Sequence, residues 1–196
     1  MAAVGALPTF LTQEQVDLLY EILRRFDAAV GSTPYSIACG TALGAVRRGG
    51  MIPWDLDADI FIRPADFEAI VGKLAGVLRI KEADGAYKLL HPTADFPSVD
   101  VYILEYDPRA NVWSPRTPKR PNFYLDADQV FFRDRVSFGP LRLPLFAHPE
   151  RFLDRYYGPG WRSAATKEES EGKIPAVGFT VAKDFRPALP TAHGLI

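Results

Sequence analysis

The 196-residue chain contains a single cysteine, Cys39, three histidines and two methionines. One cysteine makes no internal disulfide, and no Cys/His spacing here resembles a zinc site. No stretch approaches the roughly 18 apolar residues that a membrane span needs. Met1 to Phe10 has neither the basic n-region nor the apolar h-region of a secretory leader. These lacks predict a reduced, cytoplasmic protein without stable membrane insertion. An excess of either charge is missing too: 23 Lys and Arg stand against 24 Asp and Glu, a formal net charge of -1. That balance argues against a nucleic-acid partner held by bulk electrostatics. What is present, 47% hydrophobic and 24% charged residues, excludes collagenous and disordered classes. A chain of this length predicts one domain that buries roughly 70% of its unfolded surface.

Thr12 with Gln15 three residues later reads as a capping box, opening an amphipathic helix over Gln13 to Val30. Gly31 to Pro34 ends it. Tyr35 to Cys39 reads as a buried strand, Gly40-Thr41 as a tight turn, and Ala42 to Arg48 as a short helix stopped by Gly49-Gly50. Asp57 to Ile62 is polar at one end and apolar at the other, a second strand. Pro64 opens a helix through Phe67, Ile70, Val71, Leu74 and Leu78. Asp84-Gly85 marks a hairpin between Leu78 to Ala83 and Ala86 to Leu90. Ser98 to Leu104 alternates, with Val99, Val101 and Ile103 on one side and Asp100 and Tyr102 on the other. Asp107 to Pro121, rich in Pro, Arg and Lys, reads as an irregular loop. Val136 to Leu143 reads as one strand or two, and Pro149 to Tyr157 as a helix closed by Gly158-Pro159-Gly160. The chain thus divides into a domain over 1–162 and a partly ordered tail over 163–196.

The chemistry is concentrated between Gly40 and Ile62. Asp55, Asp57 and Asp59 alternate, so in an extended chain their carboxylates project to one face. Like charges so close repel unless a cation offsets them, and hard ions such as Mg²⁺ or Mn²⁺ prefer carboxylate oxygens while leaving positions open for phosphate. A surface turn with alternating acids would give the same triplet. Two neighbours favour the metal reading: the triplet runs into an apolar strand, and a glycine turn with a helix start, suited to phosphate, precedes it. Asp100, on the polar side of its strand, completes a triad if that strand lies beside Asp57 to Ile62.

Gly40-Thr41-Ala42-Leu43-Gly44-Ala45-Val46-Arg47-Arg48, then Gly50, Ile52-Pro53-Trp54-Asp55, Asp57 and Asp59, resembles the LicD/fukutin family signature. Leu143-Pro144, Pro149 to Leu153, Tyr156-Tyr157-Gly158 and Trp161 resemble its closing segment, so the likeness spans about residues 12 to 162. Relatives often carry a further Asp where this chain has Leu56, a position that alternation turns away from the others. The resemblance implies an α/β (α+β) nucleotidyltransferase-like fold, a mixed sheet flanked by helices in one domain. It implies transfer of a phospho-alcohol, such as phosphocholine or a polyol phosphate, from a CDP-activated donor to a hydroxyl acceptor, a glycan or small molecule. It implies Asp57, Asp59 and Asp100 as catalytic and metal-binding residues for Mg²⁺ or Mn²⁺.

Gly40 and Thr41 would cradle a donor phosphate, Thr41 also capping the short helix. Arg47 and Arg48 would hold donor phosphates by bidentate hydrogen bonds, against a solvated helix end as the plain alternative. Trp54 walls the site or fixes the approach to the strand; Asp55 orients Arg47 or binds a second ion. Arg109, Arg116, Lys119 and Arg120 make either a basic lid or a solvated loop. Tyr156, Tyr157 and Trp161 read as core, with stacking on a ligand as the other use; His91 is the histidine nearest Asp100 by hairpin logic. Two further functions share these residues: transfer of a nucleoside monophosphate from an NTP to an alcohol or protein, and a non-catalytic nucleotide-binding module.

Overall fold

The computed structural model describes residues 11–52, 55–83, 86–116, 121–129, 134–162, 164–166 and 180–182. Helix α1 (Gln13–Val30) begins where the sequence places it. Thr12 Oγ1 accepts from the Gln15 N–H at 3.2 Å, and the Gln15 side chain accepts from the Thr12 N–H at 2.8 Å. Val16, Leu19, Ile22, Leu23 and Phe26 are buried along its inner stripe. Thr12→Ala removes one half of that reciprocal cap, with an expected loss of about 1 kcal/mol, read as a lower urea midpoint at unchanged slope.

The next two elements differ from the sequence reading. Strand β1 is only Ser36–Ile37, and helix α2 (Cys39–Arg48) already includes Gly40 and Thr41. The reversal predicted for a Gly-Thr turn is made one residue earlier, by Cys39 at φ 41°. Ala38 is the N-cap, so Thr41 lies inside the helix and does not cap it. Gly49, left-handed at φ 69°, closes α2 with its N–H on the Ala45 carbonyl.

Strand β2 (Ala58–Ile62) is buried throughout, and helix α3 (Pro64–Leu74) starts at Pro64 but stops short of Leu78. Strands β3 (Arg79–Ala83) and β4 (Ala86–Leu90) pair antiparallel with Ala83 opposite Ala86; Asp84-Gly85 itself lies outside the described residues. Strand β5 (Ser98–Asp107) runs three residues beyond its predicted end and pairs with β6 (Val112–Pro115), so the basic segment is partly a hairpin. Its prolines concealed that strand, yet proline is tolerated at a sheet margin, and Arg116 is tied to Glu105 at 3.0 Å through Nε. Lys119 and Arg120 lie outside the described residues. Strand β7 (Leu125–Asp126) extends β6, and β8 (Asp134–Phe138) and β9 (Leu141–Leu145) form a hairpin. Helix α4 (Pro149–Tyr157) passes into a 3-10 turn at Pro159–Arg162. Of the predicted tail, β10 (Ala164–Thr166) and β11 (Thr180–Ala182) form a separate antiparallel pair.

The main sheet runs β3-β4-β5-β2-β1-β9-β8, with β6 and β7 joined through β5. It is mixed: β2 lies parallel to β5 and β1 parallel to β9, while the other pairs are antiparallel. Helix α1 packs on α3, β5 and β9; α2 packs on β2, β8 and α4. Phe61 anchors the core on α4's side, with ring centroids 5.9 Å from Phe152, 5.7 Å from Phe123 and 6.1 Å from Phe146. Among the described residues no helix is long and apolar enough to cross a membrane.

Candidate active site

Parallel pairing of β2 and β5 sets the site. Its register places Asp59 opposite Asp100 and Phe61 opposite Tyr102, and directly opposite residues share a face. One tier of the sheet is therefore acidic and the next aromatic. The antiparallel β4 puts Lys88 opposite Asp100, so the acidic tier reads Lys88, Asp100, Asp59 across three strands. Asp57 stands two residues ahead of Asp59, in the bend that leads into β2.

Helix α2 is bolted to the same tier. The Ala38 N–H donates to the Asp59 carbonyl at 2.9 Å, and the Asp59 N–H donates to Thr41 Oγ1 at 2.8 Å. The Gly40 N–H bonds to the Asp59 carboxylate. Asp55 presses its carboxylate so close to Gly40 that a Cβ there would overlap Oδ2. Gly40→Ala is thus expected to leave the fold as stable or slightly more so, since alanine favours a helix by up to about 1 kcal/mol. It should displace Asp55 and cut turnover about tenfold, which parallel melting curves and rate measurements would check.

The electrostatics follow from this crowding. Asp59 is 8% exposed, and burial raises its pKa well above the ordinary carboxylate range. Asp57, Asp55 and Asp100 push it the same way, and the Gly40 N–H opposes them. Asp100 is engaged differently: Lys88 Nζ donates to its two oxygens at 2.7 and 2.9 Å, and Ser98 Oγ to one of them at 3.3 Å. Burial works against the Lys88 ammonium, but Asp100, with Asp57 and Asp59 behind it, holds its pKa above the usual lysine value. Tyr102 is also pushed up, by burial and then by Asp59, Cys39 and Asp100, so its phenol stays protonated.

Not every expected residue joins this cluster. Arg47 and Arg48 occupy the last turn of α2, at the opposite end from Gly40. Among the described residues Arg47 Nε and Nη2 are buried without a hydrogen-bond partner, and burial, then Arg48, lowers the guanidinium's pKa. Trp54 lies outside the described residues. His91 Nδ1 sits 3.0 Å from Thr93 Oγ1, in its own loop. Two residues of the cluster were not among the expected site residues. Tyr157, at the end of α4, is 37% exposed as a residue, yet burial of its hydroxyl, and then Cys39, Asp59 and Asp55, push its pKa up, so the phenol feels the field of the acids. Lys88 carries no local signal; only the β4–β5 register reveals it.

The donor set suits a hard divalent ion. Carboxylate oxygens are its preferred ligands, and the mutual repulsion around buried Asp59 is what a cation would relieve. Among the described residues no group of three or more His, Cys, Asp or Glu is gathered closely enough to hold a metal. Magnesium does not require one, since it commonly takes one or two carboxylates with substrate phosphates and water.

A mixed sheet with a glycine-bearing helix start against an acidic strand defines a nucleotidyltransferase-type α/β domain. The chain belongs to the LicD/FKTN/FKRP family: the sequence profile of that family's nucleotidyltransferase domain matches residues 32–147, well over half the chain. That membership makes it a transferase. No curated protein matches the sequence. Among solved structures, the crystal structure of the lincosamide antibiotic adenylyltransferase LnuA, lincomycin-bound, superposes with a TM-score of 0.45 at 16% identity, covering 74% of this chain and 86% of that one.

Proposed function

We propose that the chain is a divalent-metal-dependent transferase that moves a phospho-alcohol group from a CDP-activated donor to a hydroxyl of a glycan or small molecule. The observation that carries this reading is the buried tier of Asp59 and Asp100 in register, with Asp57 leading into it and the start of α2 clamped against it. Asp57 and Asp59 would hold Mg²⁺ or Mn²⁺, which when bound neutralises charge on a diphosphate and on the departing nucleotide. Gly40, at the helix start, and Asp55 beside it would shape the donor phosphate site. Thr41, 3% exposed, would serve by holding β2 against α2. Asp100, oriented by Lys88, would accept the proton of the incoming hydroxyl. Arg47, at the far end of α2 from Gly40, has Nε and Nη2 without a partner among the described residues and would take up the distal part of the donor's phosphates, with Arg48 beside it. Positioning and electrostatics would supply most of the acceleration, with no covalent intermediate.

The test is product analysis. The chain is incubated with Mg²⁺ and a panel of CDP-alcohols, CDP-choline and CDP-ribitol included, and separately with the four NTPs, each with simple polyol and sugar acceptors. CMP release that needs metal and acceptor supports the proposal. Pyrophosphate release from an NTP would replace it by nucleoside monophosphate transfer. Neither product, with nucleotide still raising the melting temperature, would reduce the domain to a nucleotide-binding module.

A further inference from the structure

Lys88 is the central residue of β4, and Leu89 and Leu90 beside it are buried. A lysine in such a strand ordinarily leads its ammonium out to water along its own methylenes. This one is turned onto the neighbouring strand, with 32% of its side chain exposed against 8% of its partner's. Both Asp100 oxygens accept from Nζ, and Ser98 Oγ lies 3.3 Å from one of them. The register sets Lys88 and Asp59 on opposite sides of Asp100. The positive charge on that side of Asp100 is therefore built into the protein.

We infer that Lys88 is a positioning residue that reserves Asp100, so that the centre takes up one divalent ion, on Asp57 and Asp59, and not two. This rests on the metal site proposed above. A second ion coordinated by Asp100 would have to displace Nζ and then remain beside a like charge, which is unfavourable at such range. An ammonium is a compact charge that makes directed hydrogen bonds. Lys88 thereby holds the Asp100 carboxylate in one orientation and supplies the neutralisation that a second ion would bring. A purely structural ion pair would touch stability, where buried pairs add little net, and would leave the number of bound ions unchanged.

Mn²⁺ titration of the full chain, with free Mn²⁺ counted by its paramagnetic resonance signal, tests this. The expected result is one ion in the wild type, one in Lys88→Arg and two in Lys88→Met. Asp100→Asn should keep the single ion with affinity changed by less than about tenfold, whereas Asp59→Asn should weaken it by about 100-fold or more. Two ions in the wild type, one in a folded Lys88→Met, or loss of the ion in Asp100→Asn would each overturn the inference while leaving the metal site standing. Should Lys88→Met not fold, the Asp100→Asn arm decides. No ion in the wild type would remove the metal site itself and this inference with it.

Discussion

Asp59→Asn is expected to lower transfer roughly a thousandfold while making the metal-free chain more stable. The two effects have one origin. The carboxylate is buried beside Asp57, Asp55 and Asp100, and burial is the first cause of its raised pKa. Its anionic form is therefore costly to the native state and useful only when a cation arrives. An amide is nearly isosteric and can still accept from the Gly40 N–H, so the clamp on α2 survives while the charge goes. Losing a ligand that stabilises transition-state charge by several kcal/mol gives the rate effect. The stability gain should be about 1–3 kcal/mol, the range for a poorly compensated buried polar group.

Its pH dependence has a definite sign. Because the native pKa lies above the unfolded one, the native state keeps a proton that the unfolded chain releases. Stability therefore falls as pH rises from the ordinary carboxylate pKa through the native one. The wild type should lose stability relative to Asp59→Asn over that interval, and saturating Mn²⁺ should close the gap. Urea melts of both proteins at pH 4.5 and 7.5 measure it; equal pH slopes would refute the account.

Arg47→Met is the second large effect expected, again with opposite signs for stability and binding. Nε and Nη2 of Arg47 are buried without partners among the described residues, and burial itself disfavours the guanidinium's charge. Methionine fills similar volume with no orphaned donors, so the unliganded chain should gain about 1–3 kcal/mol. The donor, if held by those two nitrogens, should bind about 10- to 100-fold more weakly, the worth of a hydrogen bond to a charged group. Calorimetric titration with CDP-choline reads the affinity and a melt reads the stability. A variant less stable than wild type would show that Arg47 is a packing element of α2 instead.

The amphipathic helices and the second strand were legible because their signals are local. Thr12 and Gln15 spell a reciprocal cap, Pro64 and Pro149 open helices, and Ala58 to Ile62 is apolar except for Asp59. The Asp57/Asp59 spacing was equally plain. Elements that depend on distant partners were less so. Strand β6 holds its one proline, Pro115, at its last position, where pairing with β5 overrides composition. Cys39 takes a left-handed backbone that nothing adjacent demands, and that single residue lengthened α2 at the expense of the predicted turn. Lys88 reads as an ordinary charged strand residue until cross-strand register sets it against Asp100. Tyr157 reads as core because helical spacing cannot tell a fully inward ring from one left partly exposed.

The parallel run of β2 and β5 has a corollary. Both strands are entered from the same edge of the sheet, so residues 55–57 and 91–97 lead side by side to Asp59 and Asp100, like two jambs of a doorway. Phe96, 46% exposed, stands on one of these approaches. Neither strand needs to shift for those approaches to change length or character. On the function proposed above, a new acceptor would then call for new jambs alone, with the threshold of aspartates left as it was.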